Sequence, residues 1–285
     1  MPSHPASRFA LALLVLAGSV LLARGDSVED YLQQARRALK NKDGGKAVEL
    51  AGKAIESNPK GARGYLLRGS GYEVLRQHDK AIADFTQSIA CDPKGAEAYD
   101  RRGSEQFILG HITESLTDFD KVLELQPKAA PGHWKRGISL YYARRYEDGR
   151  KQFKDGDKIF GNDVENAVWH FLCNVKLKGI DKARDDMLEI GKDDRVPMMV
   201  VYDLFIGKCK PADVLTAAEA AEVPAELRKQ QLFYAHLYLG LYYDALGVKR
   251  KALEHMNLAG GEYRLGYMGD VAHVHAELLG KEMKK

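Results

Sequence analysis

The residues best suited to chemistry are histidines, cysteines and paired acids. His170 and Cys173 lie three residues apart, so in a helix their side chains share a face, as two ligands of a metal ion can. No third or fourth ligand follows at a suitable spacing, and packing is therefore the favoured interpretation. The adjacent acids Asp185 and Asp186 follow closely in sequence. An enzyme with an unrecognised site within residues 164–200 stays open as an alternative.

The remaining polar motifs indicate ordinary structure. His273 and His275 are two residues apart, and side chains at that spacing point away from each other on a helix. The glycine-rich stretch 43–46 lacks the spacing of a phosphate-binding loop and is expected to be a turn between helices. Asp118 and Asp120 lack the downstream ligands of a calcium loop. We therefore predict no catalytic residue, no metal site and no cofactor.

The composition is that of a folded protein with interspersed charges. Lys and Arg number 43 and Asp and Glu number 40, which gives a formal net charge of +3 over 285 residues. Neither sign forms a long block, and this argues against nucleic acid as the main partner. Cys91, Cys173 and Cys209 match no zinc or redox spacing. We expect them to be small buried hydrophobic residues, with a Cys173–Cys209 disulfide as the alternative.

Residues 1–25 have the three-part pattern of a secretory signal peptide. Arg8 precedes an uncharged apolar run from Phe9 to Leu22, and the small residues Ala23 and Gly25 precede the expected cleavage site. The run is shorter than the stretch of about 20 residues that a membrane-spanning helix requires. The pattern therefore predicts export, with cleavage before residue 26.

The stretch 16–19 is similar to the lipobox of bacterial lipoproteins, with Ser19 in place of the lipidated cysteine. Without a thiol at that position, no lipid can be attached there. We therefore expect an exported and soluble protein, periplasmic or secreted, without a stable membrane anchor after cleavage. A tether to the inner membrane through an uncleaved N-terminal segment is the alternative.

A period of 34 residues runs through the rest of the chain. Proline, glycine and phenylalanine recur in three columns: Pro59, Pro93 and Pro127; Gly69, Gly103 and Gly137; Phe85, Phe119 and Phe153. A column of small residues extends further: Ala47, Ala81, Ser115, Gly149, Ala183, Ala217 and, after 35 residues, Ala252. The columns predict seven units, at about 28–61, 62–95, 96–129, 130–163, 164–197, 198–232 and 233–266.

Within a unit the apolar residues recur at helical spacing, in two runs separated by a polar break. Each unit is therefore predicted to be a pair of antiparallel helices, and the pairs must stack because none can bury its apolar face alone. The glycine and alanine columns are expected to let the two helices approach, and the phenylalanines to fill the space between successive pairs. Residues 267–285 are predicted to form an amphipathic helix that caps the last pair, with Asp270 on its polar face.

These columns resemble the tetratricopeptide repeat, whose pattern is Trp or Tyr, then Leu-Gly, Tyr, Ala, Phe, Ala and Pro. The matches are Tyr65, Gly69, Tyr72, Ala81, Phe85 and Pro93 in the second unit and Leu239, Gly240, Tyr243, Ala252 and Ala259 in the last. The resemblance implies an all-α, right-handed superhelical solenoid with four units over 26–163, two degenerate units over 164–232, a last unit over 233–266 and a capping helix. The packing residues it implies are Gly69, Ala81, Phe85, Gly103, Phe119, Gly137, Phe153, Gly240 and Ala252. Pro224 stands where the repeat has alanine, which predicts a short or bent helix there.

The stretch 233–247 resembles bacterial tetratricopeptide-repeat lipoproteins of the new-lipoprotein-I (NlpI) type. A degenerate middle and an intact final repeat also suit that family, but Ser19 departs from it. The resemblance implies a dimeric adaptor of the cell envelope that brings proteases and cell-wall hydrolases together.

By the geometry of the repeat family, the first helix of each unit lines a concave groove. The residues that would face inward are Arg36, Arg63, Arg101, Phe107, Trp134, Lys135, Tyr141, Tyr142, Tyr234 and Tyr238. Basic side chains beside aromatic rings favour partner segments with acidic and apolar residues. The implied function is a non-catalytic scaffold or adaptor for other proteins in the bacterial envelope. A self-assembling homodimer is the alternative.

Overall fold

The computed structural model describes residues 27–284, which form fifteen α-helices and one 3-10 helix and contain no strand. The α-helices are α1 (Val28–Lys40), α2 (Gly44–Ser57), α3 (Ala62–Val74), α4 (His78–Cys91), α5 (Ala96–Ile108), α6 (Ile112–Leu125), α7 (Trp134–Tyr142), α8 (Tyr146–Phe160), α9 (Val164–Lys178), α10 (Ile180–Asp185), α11 (Met198–Phe205), α12 (Pro211–Glu219), α13 (Ala225–Ala245), α14 (Lys249–Gly260) and α15 (Gly266–Glu282); the 3-10 helix spans Pro127–Gly132. The predicted signal segment lies outside the described residues. Within residues 27–284, none of the helices combines the length and apolar character that crossing a bilayer requires.

Helices α1 to α8 form four antiparallel pairs, one in each of the first four predicted units. Consecutive helices contact each other within a pair and between pairs, so the pairs stack into the predicted all-α solenoid. The first helices α1, α3, α5 and α7 form one surface of this stack, which we call the concave face. The stretch 43–46, predicted to be a turn, is instead the start of α2, and the turn lies at residues 41 and 42. The Asp43 carboxylate caps α2 by accepting the backbone N–H of Lys46 at 2.9 Å.

The glycine column makes room for a large side chain of the same helix pair. A Cβ atom on Gly69 would lie 2.6 Å from Cε1 of Phe85, and one on Gly103 would lie 3.0 Å from Cε1 of Phe119. The same contact recurs for Gly137 with Phe153, and for Gly240 with Met256 in the last unit. The small residues Ala81 and Ala252 are fully buried. The phenylalanines thus pack against the glycine of their own pair, whereas the sequence predicts that they fill the space between successive pairs.

A further set of columns, also 34 residues apart, joins the two helices of a pair through ion pairs. Arg68 on α3 donates to Asp84 on α4 through Nε and Nη2, both at 2.8 Å. Arg102 and Asp118 repeat this arrangement at 2.8 and 2.7 Å. Both carboxylates are buried. Two parallel hydrogen bonds from one guanidinium group fix the geometry of the pair as well as stabilise it.

The chain from residue 164 to residue 232 departs from regular pairs. Helix α10 has only six residues and is followed by an irregular segment, 186–197. Helix α12 ends at Glu219, so the second helix of the sixth unit is short, as Pro224 predicted. Pro224 itself lies outside that helix, directly before α13. Helix α13 has 21 residues and therefore continues across the expected boundary at residue 232.

Arg195 anchors the irregular segment to the solenoid. Its guanidinium group donates to Asp193 at 2.6 Å, to Asp163 at 2.8 Å and to Glu165 at 2.5 Å. The Tyr238 hydroxyl on α13 donates to the same Glu165 carboxylate at 2.6 Å. One arginine thus connects the segment to the start of α9, and the shared glutamate extends the network to α13.

All three cysteines are free thiols, and the alternative Cys173–Cys209 disulfide is not formed. Cys173 is buried, as expected, and Cys209 is half-buried. Cys91 is exposed at the last residue of α4, so the expectation of burial is wrong for this residue.

Replacing Gly69 with alanine tests the steric role of the glycine column. Alanine favours an exposed helix over glycine by about 0.8–1 kcal/mol, yet its Cβ at residue 69 would clash with the Phe85 ring. We expect Gly69→Ala to lower the free energy of unfolding by about 1–3 kcal/mol, measured by urea denaturation.

Gly52→Ala on α2 is the matched control, because apart from the adjacent residues and the backbone of its own helix no atom lies within 4 Å of the added Cβ. The free energy of unfolding of this variant should rise by about 0.5–1 kcal/mol from helix propensity alone. Stabilisation in both variants would show that the glycine column is not needed for packing.

Candidate functional site

Helix α15 lies across the concave face as well as against α14. Near its start, the ring of Tyr267 contacts Phe107 of α5 and Trp134 of α7, with centroid distances of 5.7 and 5.4 Å. The Nζ of Lys135 lies 5.5 Å from the centroid of the same ring, within the range of a cation–π interaction. The predicted capping helix therefore does more than cover the last pair, because it also occupies part of the concave face.

Polar contacts fix the rest of α15. Asp270 Oδ1 accepts hydrogen bonds from Arg76 Nη2 and Arg264 Nε, both at 2.8 Å. The Tyr142 hydroxyl lies 2.9 Å from Nδ1 of His275. Asp270 is buried, which corrects its expected place on an exposed polar face. The reason is that α15 has two buried sides, and the guanidinium groups compensate the carboxylate on the side toward the concave face.

Half of the six aromatic residues predicted to line an open groove pack inside the protein. Phe107, Tyr141 and Tyr238 are buried, which corrects their assignment to an accessible surface. Their rings are covered because α15 and α9 lie against the aromatic side of α5, α7 and α13. The other three, Trp134, Tyr142 and Tyr234, are partly exposed.

Two of the predicted basic residues, Arg101 and Lys135, lie together in an open cleft of about 740 Å³ between the concave face and the start of α15. We call this space the cleft. Its other ionisable residues are Glu73, Arg76, His78, Glu97, Asp100, Glu105, Arg264 and Asp270. Arg36 and Arg63 are exposed on α1 and α3 and do not line it. Arg63 forms a bidentate ion pair with Glu29 at 2.9 and 3.0 Å.

The charged groups of the cleft pair with one another. Arg101 donates to Glu73 at 2.6 Å and to Glu97 at 3.0 Å. Lys135 donates to Asp100 at 2.9 Å. The cleft therefore presents both signs of charge, and an ionic ligand must exchange with one of these internal partners.

Two carboxyl groups in the cleft titrate near neutral pH. Burial raises the pKa of Glu73 to about 7, although Arg101 favours its ionised form. Burial also raises the pKa of Glu105 to about 7. Glu105 Oε2 lies 2.6 Å from Nδ1 of His78, whose own pKa burial lowers. Both shifts favour a neutral Glu105–His78 pair, so the cleft can take up or release protons around pH 7.

The residues that could have formed an active site do not form a reactive pair. Burial raises the pKa of the Cys173 thiol to about 12 and lowers that of His170 to about 4, the reverse of an activated cysteine. Asp185 and Asp186 are exposed at the end of α10. Among the residues that the structure describes, no three His, Cys, Asp or Glu side chains are grouped so that they could hold a metal ion.

The Tyr267 and Tyr142 hydroxyls offer a matched test of how α15 is held. The Tyr267 hydroxyl is buried without a hydrogen-bond partner in the described chain, whereas the Tyr142 hydroxyl bonds His275. We expect Tyr267→Phe to leave the free energy of unfolding unchanged or raise it slightly, and Tyr142→Phe to lower it by about 1–2 kcal/mol. Equal losses in urea denaturation would contradict this account of the contact.

The buried Glu105 should make stability depend on pH. Its folded-state pKa of about 7 lies above the ordinary value of 4.5, so the folded protein retains the proton more strongly than the unfolded chain. The contribution of Glu105 to the stability of the folded protein is therefore greatest at pH values below its ordinary pKa, and it is lost as the pH rises to about 7. The glutamine of Glu105→Gln cannot ionise. Relative to the native protein, the free energy of unfolding of this variant should therefore increase by on the order of 2 kcal/mol between about pH 5 and about pH 8.

Urea denaturation of both proteins at the two pH values measures this gain. The control is Glu97→Gln, which removes an exposed carboxylate of the same cleft. The same pH-dependent gain in the control, or none in Glu105→Gln, would show that burial of Glu105 is not the cause.

Comparison with known proteins finds one matching family and several similar structures. The tetratricopeptide repeat family matches residues 96–128, the third helix pair. The crystal structure of MamA protein is 16% identical, with 69% of this chain and 98% of that chain covered and a TM-score of 0.51. The Arabidopsis OM64 TPR domain is 31% identical over 35% of this chain and 84% of the domain, with a TM-score of 0.35. The first TPR of Spaghetti (RPAP3), bound to the HSP90 peptide SRMEEVD, is 25% identical over 35% of this chain and 79% of that chain, with a TM-score of 0.35. No curated protein matches in sequence.

The match at residues 96–128 falls on the pair formed by α5 and α6, where the glycine and phenylalanine columns meet. The likeness to MamA extends the solenoid fold beyond that pair. Residues 96–128 are therefore a tetratricopeptide repeat, within a chain whose helix pairs stack as a tetratricopeptide-repeat solenoid.

Proposed function

We propose that this protein is a non-catalytic scaffold that binds segments of partner proteins in the cleft between the concave face and α15. Tetratricopeptide-repeat domains are generally protein-interaction modules, and repeat solenoids use their concave surfaces for binding. The observation that carries the proposal is the open cleft of about 740 Å³, because α15 covers much of the remaining aromatic surface. The proposed site is thus smaller and more polar than the groove expected from the sequence.

The charges of the cleft favour a segment with acidic side chains and some apolar ones. Arg101 and Lys135 are held in place by their ion pairs and are partly accessible. A partner carboxylate can take Arg101 in place of Glu73, because Glu73 has a pKa of about 7 and can release the guanidinium group by taking a proton. Ile108 and the Tyr267 ring supply apolar contact area in the same space.

The cellular setting is part of the proposal. The signal pattern of residues 1–25 and the resemblance of residues 233–247 to lipoproteins of the new-lipoprotein-I type support an exported adaptor in the bacterial envelope. Proteases or cell-wall hydrolases are the partners that this resemblance favours. The serine at residue 19 supports a form without a lipid anchor.

Selection of peptides from a random displayed library tests the cleft directly. Immobilised residues 26–285 should enrich peptides that contain acidic and apolar residues. The double variant Arg101→Gln/Lys135→Gln removes two cleft cations and should bind the enriched peptides at least about tenfold more weakly, which corresponds to about 1.4 kcal/mol.

The control variant Lys121→Gln/Lys158→Gln removes two cations from the second helices α6 and α8. Lys121 is as exposed as Arg101, with 34% against 36% of the side chain accessible. The control variant should bind the enriched peptides as the native protein does, and circular dichroism should show that both double variants stay helical. Equal binding by all three proteins would exclude the cleft, and failure to enrich any peptide would contradict the proposed function.

A further inference from the structure

A second cavity, of about 250 Å³, lies beside α15 and is separate from the cleft. Met268 of α15 borders it, and the other walls come from α7, α8 and α9. We call it the aromatic cavity, because four of its residues are Trp134, Phe153, Phe160 and Trp169. Its volume is below that of drug-sized ligand sites, so it suits a single side chain.

Carboxylates lie at the edge of this aromatic cavity. Asp163 and Glu165 line it, and Asp193 joins them through Arg195. Arg195 is the cation bonded to all three acids, so three carboxyl groups share one guanidinium group. Burial raises the pKa of Glu165, and the negative charge of Asp163 adds to this shift. The site therefore favours a second cation.

One acceptor and one donor at the aromatic cavity have no hydrogen-bond partner among the described residues. Asp163 accepts both of its hydrogen bonds, from Arg195 and from the backbone N–H of Glu165, on Oδ1. Its Oδ2 has no donor in the described chain, although 29% of the side chain is accessible. Trp169 is 2% exposed, and its Nε1–H is buried without an acceptor among residues 27–284. A ligand that fits must bring a cation and an acceptor.

We propose that the aromatic cavity binds a lysine side chain of a partner polypeptide. The ammonium group would donate to Asp163 Oδ2, the alkyl stem would lie against the aromatic rings, and a backbone carbonyl would accept from Trp169. Aromatic rings beside a carboxylate bind alkylammonium groups through cation–π attraction and charge. The proposal rests on the proposed function only in taking a protein as the source of the lysine, because the cavity and the cleft share no lining residue.

The chain reports this binding without a label. It contains two tryptophans, Trp134 and Trp169, and both line the aromatic cavity. Titration of residues 26–285 with N-acetyl-lysine-methylamide should give a saturable change in tryptophan fluorescence. N-acetyl-norleucine-methylamide has the same stem without the charge and should bind roughly tenfold more weakly or not at all. n-Butylammonium has the charge without the carbonyl groups and should also bind more weakly.

Asp163→Asn is the variant that tests the carboxylate. Asparagine caps a helix as well as aspartate does, so α9 should keep its start while the charge is lost. This variant should bind the capped lysine roughly fivefold to tenfold more weakly. The control Asp155→Asn removes a half-exposed acid of α8 that pairs with Lys158 and does not line the cavity; it should bind as the native protein does.

Four outcomes would overturn the proposal. Equal binding of the norleucine compound would show an apolar cavity without cation preference. Equal or tighter binding of n-butylammonium would assign the cavity to a small amine instead of a polypeptide. An unsaturable fluorescence change, or unchanged binding by Asp163→Asn, would show that the acidic edge forms no lysine site. None of these results depends on peptide binding in the cleft, which the Arg101→Gln/Lys135→Gln variant tests separately.

Discussion

The contact between Tyr267 and the concave face is the interaction on which the rest of the structure depends. Its ring packs against Phe107 of α5 and Trp134 of α7. This places α15 across the first helices of the third and fourth pairs, which are distant from α15 in sequence. Each helix pair of a solenoid otherwise contacts only its neighbours. This contact closes the stack on itself, so the positions of the C-terminal helix and of the third and fourth pairs are fixed together.

Closure also determines where a ligand can bind. An open solenoid would present one continuous groove, whereas α15 separates this surface into a charged cleft and a small aromatic cavity. The ion pairs of Asp270 with Arg76 and Arg264 form one wall of the cleft and hold α15 in place. The same groups therefore shape the cleft and stabilise the fold, and a ligand there must leave the pairs of α15 intact.

The sequence was sufficient for the repeated part of the fold because each column has a local steric cause. The Phe85 ring fits only because Gly69 has no side chain, and the same requirement recurs 34 residues later. The position of α15 could not be predicted in this way, because its contacts with α5 and α7 join residues more than 130 apart. Asp270 even predicted that this side of α15 is exposed to solvent, because a carboxylate on one side of an amphipathic helix usually marks its polar face.

The aromatic residues of the first helices show why a groove cannot be read from repeat positions alone. The repeat geometry predicted Phe107, Trp134 and Tyr142 in the groove, but aromatic rings suit packing against an internal helix as well as against a partner, and α15 contacts all three. Apolar contact area gives no information about which chain covers it. Charged residues are more informative, because burying Arg101 or Lys135 requires a specific counter-ion at a specific distance. These two remain partly accessible, and the cleft around them is the part of the predicted groove that is still open to another protein.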